Sequence, residues 1–190
     1  ALPRVEGPAR KFVIDALGDA GLPEAVPPLV EALDDGDPNV AAAAIDSLAR
    51  LGGAEAELAL RRRLASSDPF QRMAALDGLA RLGAEVPWEE LEPLLSDRLV
   101  RRVALPLLGR TARSEAVAPL LSALSDRSSH VVAEAAQALV TLHTSAAPDV
   151  ADLAAERLRG APELARAHLR RLIEEGEGKT ARAAAHLLVV

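Results

Sequence analysis

Apolar residues recur along this chain at helical spacing, in short blocks separated by polar turns. Val26, Leu29, Val30 and Leu33 stand at i, i+3, i+4 and i+7, and Val117, Leu120, Leu121 and Leu124 repeat that spacing. Side chains at those offsets share one helix face. A polar turn, DDGDP at 34–38, follows the first block, and a second apolar row then runs through Val40, Ala44, Leu48 and Leu51. The alternation predicts pairs of short amphipathic helices, the first of each pair ending at an acidic turn.

The pairs repeat. DPNVAAAAIDSLARLG (37–52) and DPFQRMAALDGLARLG (68–83) agree at ten of sixteen positions with a shift of 31 residues. EAVPPLVEALDD (24–35) and EAVAPLLSALSD (115–126) agree at eight of twelve with a shift of 91, about three such periods. A turn acid recurs at Asp37, Asp68, Asp97 and Asp126. A period near 30 marks a solenoid of stacked hairpins. The expected units are a lone second helix at 8–17, hairpins at 23–52, 54–83, 87–110, 114–143 and 147–175, and a partial first helix from 179 onward. We expect one repeat domain over 1–190, a fragment of a longer protein, with EEGEGK (174–179) as its most flexible point. The fold class expected is all-α, a right-handed α-α superhelix of about five hairpins.

Local punctuation refines the picture. Asp at the turn caps the following helix and the Pro after it suits the first helical position. Gly after Leu, at Gly18, Gly52, Gly83 and Gly109, predicts left-handed caps at the ends of second helices. Pro28 and Pro119 predict bends in first helices. Pro27 has Ala118 as its counterpart, so a sharper kink or a restart is expected in the first copy than in the second. Ala44, Ala75 and Ala104 keep the inner position small, and His168 takes that position in the fifth hairpin. Arg61 falls in the slot of Val30, expected to be buried.

Composition narrows the function classes. The chain is 49% hydrophobic but only 2% aromatic, with no Cys, so disulfides and thiolate metal sites are excluded. A net charge of −6 argues against nucleic acid as the partner, since phosphate neutralisation needs a basic surface. No apolar run approaches the ~18–20 residues of a membrane span. We expect a cytoplasmic protein.

The units resemble HEAT repeats, in particular the short bacterial form also found in phycobilin lyase-like proteins. The matching features are Pro28, Pro93 and Pro119, the four turn acids, and the Val-x-x-(Ala/Val)-Ala-x-x-x-Leu pattern at 40–48 and 100–108. The resemblance implies a protein-binding scaffold. The basic residue the family carries after the Val is kept at Val100-Arg101 and replaced at Val40-Ala41.

Candidate chemistry is confined to charge. The four His are not at metal-ligand spacing along the chain, and no HExxH, GxGxxG or phosphate-binding loop occurs. No cofactor or metal is expected, and no catalytic residue. The ridge of the second helices opposite the core holds Asp46 and Arg50, then Met73, Asp77 and Arg81, then Arg102 and Arg110. In a solenoid of this type those helices line the concave side. These seven residues are the candidate partner-binding set, for another protein and specifically an acidic segment of it. Their structural alternative is i,i+4 charge pairing along the helix. A rival function is an accessory or regulatory subunit of an enzyme, bilin lyase-like; a HEAT-like nucleic-acid-binding protein ranks below it. Trp88, at a helix start, is expected to pack between hairpins two and three; its alternative is an interface anchor.

Overall fold

The computed structural model describes residues 7–175 and 178–189. Every regular element among them is helical. The chain divides into two compact units, Ala1–Ala84 and Glu85–Val190.

The first unit contains α1 (Gly7–Asp19), α2 (Val26–Ala32), α3 (Pro38–Leu51), α4 (Ala54–Arg63) and α5 (Pro69–Leu82). Helices α1, α3 and α5 pack successively, while α2 and α4 pack on one another and on the second helices of their own hairpins. The core lies between the two rows. Leu29, Leu33, Val40, Ala44, Leu48, Leu60, Ala75 and Leu79 are buried in it. Val30 and Arg61 are both only partly covered, so their shared slot is a rim position and an arginine fits it without a register shift.

Helices α3 and α5 start alike. Asp37 and Asp68 accept a hydrogen bond from the backbone N–H two residues on, at 2.9 Å each, and Pro38 and Pro69 occupy the first helical position. They end at Gly52 and Gly83, whose φ values of 68° and 70° lie where a Cβ is costly. The other two expected caps lie inside helices instead. Gly18 and Gly109 are helical, and a neighbouring helix runs too close there for a side chain. A Cβ on Gly18 would meet Ser47 Oγ at 2.4 Å, and one on Gly109 would meet the Ala138 carbonyl at 2.6 Å.

The second unit contains α6 (Trp88–Leu91), α7 (Arg98–Val103), α8 (Leu105–Arg110), α9 (Val117–Ala123), α10 (Ser129–Ser145), α11 (Pro148–Arg157), α12 (Glu163–Glu175) and α13 (Lys179–Val189). Its first hairpin is the irregular one. Helix α6 is a single turn that tightens into a 3-10 segment, Glu92–Ser96, around Pro93. The following second helix breaks at Ala104, because Pro106 has no N–H for the Arg102 carbonyl. Beyond it α8, α10 and α12 form one row, and α9, α11 and α13 the other. Trp88 is half-buried at the start of α6.

Three further expectations change. The prolines act alike in both copies of the opening repeat. A 3-10 turn, Pro23–Ala25 or Ser114–Ala116, gives way to an α-helix at Val26 or Val117. The shared Pro28 and Pro119 set that break, because each lacks the N–H that an α-helix would aim at the carbonyl of Glu24 or Glu115. Pro27 lies in the first turn, where no N–H is required, so its replacement by Ala118 makes no difference. His168 does not hold the small inner position. Ala165 is fully buried there, four residues before the fully buried Leu169, and His168 is half-covered beside them. Asp126 does not cap α10. Ser128 stands at the cap without a side-chain bond, and Asp126 accepts the Ser128 N–H at 2.9 Å. Asp35 makes the same contact with the Asp37 N–H at 2.8 Å, so Asp126 is its counterpart. Of EEGEGK, residues 176–177 lie outside the described residues.

Candidate functional site

The stacking of α1, α3 and α5 turns separate i,i+4 pairs into one row of charge. Arg50 pairs with Asp46 on its own helix and lies 3.5 Å from Asp19 on α1. Arg81 pairs with Asp77 on α5 at 3.1 Å and with Asp46 on α3 at 2.9 Å. The order is Asp19, Arg50, Asp46, Arg81, Asp77, alternating in sign across three helices. Asp46 joins the two arginines. Beneath the row, Ser47 is fully buried; its hydroxyl donates to the Ile14 carbonyl at 3.3 Å and accepts from Arg50 at 3.1 Å. Four of the predicted residues, Asp46, Arg50, Asp77 and Arg81, are thus brought together. Met73 is half-buried farther up α5. Sequence reasoning missed Asp19, which sits on the lone first helix and has no i,i+4 partner to announce it.

In the second unit the predicted arginines have other tasks. Arg102 reaches the turn acid Asp126 at 3.4 Å. Arg10 does the same to Asp35 in the first unit, at 3.1 Å, so both tie a second helix to the turn of the next hairpin. Arg110 donates to the Pro106 carbonyl of its own helix at 3.4 Å. Arg63, the last of the Arg61–Arg63 run, pairs with Asp34 and donates to Gln71 at 3.3 Å.

Two histidines that are far apart in sequence meet. His143 on α10 and His186 on α13 place Nε2 and Nδ1 2.7 Å apart, with their rings edge to face. At that distance one ring donates and the other accepts, so the pair holds together when both are neutral. Burial, then the neighbouring His186, hold His143 below its ordinary pKa, against a smaller opposing pull from Asp152. A cavity of about 360 Å³ opens beside the pair, with Arg182 in its wall. Among the described residues no group of three or more His, Cys, Asp or Glu side chains converges as a metal site would require. No helix among them is long and apolar enough to cross a membrane.

Paired helices stacked in two rows define the class, an α-helical repeat protein of the solenoid type. The profile of the HEAT repeats matches residues 6–80, 28–99 and 88–188, and the chain belongs to that family. No curated protein matches the sequence. Among solved structures it is similar to the complex of CpcE and CpcF of phycocyanin lyase from Nostoc sp. PCC7120, at 20% identity and a TM-score of 0.66, covering 98% of this chain and 90% of that one. A designed armadillo repeat protein is similar at 18% identity and a TM-score of 0.61, covering 98% and 95%. Another, in complex with the peptide (KR)4, is similar at 20% identity and a TM-score of 0.52, covering 92% and 83%. At these identities the likeness is one of fold.

Proposed function

We propose that the chain is a non-catalytic, cytoplasmic scaffold for protein–protein interaction, binding an acidic segment of a partner along the faces of its second helices. The row Asp19–Arg50–Asp46–Arg81–Asp77 carries the proposal, because it lies on the surface and crosses three stacked helices. The row holds three aspartates to two arginines, so a partner carboxylate that enters it must displace an aspartate from an arginine, and partners are selected by the pattern of charge rather than by its sum. Met73 adds an adaptable apolar contact on α5. Arg102 and Arg110 place the same residue type on second helices of the other unit. A designed repeat protein of similar fold is in complex with a peptide, the basic (KR)4, which supports a peptide segment as the kind of partner.

The test is affinity capture with the wild type and the combined Arg50→Glu, Arg81→Glu and Arg110→Glu variant as paired baits, compared by quantitative mass spectrometry. Loss of at least one partner is expected. An identical partner set would sink the proposal. The rival, an accessory subunit of the bilin lyase type, predicts instead a shift of pigment absorbance when a bilin is mixed with the purified protein.

A further inference from the structure

The second unit carries a concave site of a different kind. Arg101 and Arg102 on α7, Ser122 near the end of α9, and Ser125, Asp126 and Arg127 in the following turn surround a cavity of about 580 Å³. Leu105 and Val131 form part of its wall and are themselves buried, which anchors it to the core. The three guanidiniums are not equally engaged. Arg102 is held by Asp126, which also accepts the Ser128 N–H. The side chains of Arg101 and Arg127 form no ion pair or hydrogen bond with any described residue. Among the described lining residues, three guanidiniums against one carboxylate give a net charge of +2.

We propose that this cavity binds a phosphate monoester carried on a partner peptide, such as a phosphoserine side chain. A phosphate monoester near neutral pH carries a charge of about −1.5 to −2 and three acceptor oxygens, which answers the charge of the site. Its oxygens suit the planar forks of Arg101 and Arg127, each of which can bind two of them at once. The Ser122 and Ser125 hydroxyls add neutral donors. A carboxylate has half the charge and one oxygen fewer, so it leaves part of the excess unanswered. The proposal rests on the reading of the chain as a scaffold for a partner segment, but uses residues outside the Asp46 row.

The experiment is fluorescence anisotropy on the full chain, with a labelled peptide containing one phosphoserine, its unphosphorylated twin and its glutamate twin. Binding of the phosphopeptide alone is expected, weakened at least about tenfold by Arg101→Gln or by Arg127→Gln, since a hydrogen bond to a charged group is worth about 1.5–3 kcal/mol. Arg101→Lys should retain part of the binding. Far-ultraviolet circular dichroism confirms that each variant is folded. Equal binding of the three peptides would overturn the proposal, as would a folded Arg101→Gln/Arg127→Gln double variant that binds like wild type. Inorganic phosphate that binds as tightly as the phosphopeptide would overturn the assignment to a peptide. Arg50→Glu with Arg81→Glu leaves phosphopeptide binding unchanged. If the phosphopeptide fails while those reversals still abolish partner capture, the pocket is wrong and the scaffold reading stands.

Discussion

Two groups of arginines, one in each unit, are engaged differently. In residues 7–84, Arg50 and Arg81 each face two carboxylates, and Asp46 serves both. In the second unit Arg101 and Arg127 face an open cavity, and Asp126, the one acid among its described lining residues, is held by their neighbour Arg102. The helix contacts differ as well. Gly78 on α5 meets only side chains, Ala49 Cβ at 3.0 Å and Leu60 Cδ1 at 3.4 Å from a built Cβ, whereas Gly109 on α8 lies on the backbone of α10 at Ala138. Regular second helices thus stack through side chains and match their charges across the gap. The helix broken at Pro106 comes closer to its neighbour and leaves Arg101, upstream of the break, without a carboxylate partner among the described residues. Similar residues on successive helices are neutralised or available according to the register of the stack.

The glycine contrast carries the largest expected effect. Gly109→Ala must push α8 away from α10, because a backbone carbonyl cannot swing aside, and should destabilise by about 1–3 kcal/mol. Gly78→Ala asks α3 to yield by only a few tenths of an ångström at the Ala49 methyl, beside the flexible end of Leu60, and gains up to ~1 kcal/mol of helix propensity, so its net loss should be clearly smaller. Thermal unfolding of the two variants checks this, and equal losses would remove the packing half of the comparison. Next in size is Asp68→Ala, which removes the α5 cap and should cost about 1 kcal/mol. Ser128→Ala, at a cap without a side-chain bond, should cost much less in the same assay. Smaller still is Asp46→Asn, which weakens both pairs at once. The row is well exposed, so the loss should be about 0.5–1 kcal/mol at low salt and vanish in high salt. Arg101→Gln, which breaks no pair, should stay within about 0.5 kcal/mol at either salt. If Arg101→Gln proves as costly and as salt-sensitive as Asp46→Asn, the charge half of the comparison fails.

Much of this fold was legible because its signals are local. Helical spacing, turn acids and a period near 30 announced an all-helical repeat protein, and Asp37 and Asp68 were readable as caps from the Asp-Pro pairs alone. The misplaced glycines and His168 depend on a second helix. Gly18 and Gly109 follow a leucine just as Gly52 and Gly83 do, and only the neighbour at Ser47 or Ala138 distinguishes close approach from a left-handed cap. His168 and Ala165 lie three residues apart on α12, and the register against α10 decides which one faces inward. The candidate row was half legible. Asp46–Arg50 and Asp77–Arg81 are visible as i,i+4 pairs, but their bridge through Asp46 and the end contact with Asp19 exist only after stacking. The pairing of His143 with His186 spans 43 residues and has no sequence signature at all.

That histidine pair gives the smallest and most local prediction, and it separates the units by pH. The first unit has no histidine. In the second, the pair joins α10 to α13, with Asp152 of α11 and Arg182 of α13 as the charged groups facing it. The lowered pKa of His143 means that the unfolded chain takes up a proton more readily than the folded one. The contribution to stability is therefore complete above the ordinary histidine value of about 6.5, and is lost as pH falls from there through the lowered folded value. Protonating both rings replaces a hydrogen bond with two like charges at 2.7 Å. The C-terminal helix should accordingly open first in acid. Hydrogen exchange, corrected for intrinsic rates, should show protection of α13 amides falling between pH 7 and pH 5 while α3 amides hold theirs. His143→Gln retains a donor toward His186 but cannot take the second charge, so it should flatten the acid response of α13. A wild type whose α13 protection is independent of pH in that window, or a His143→Gln variant that responds as strongly, would show that the contact between the two rings does not govern docking of this helix.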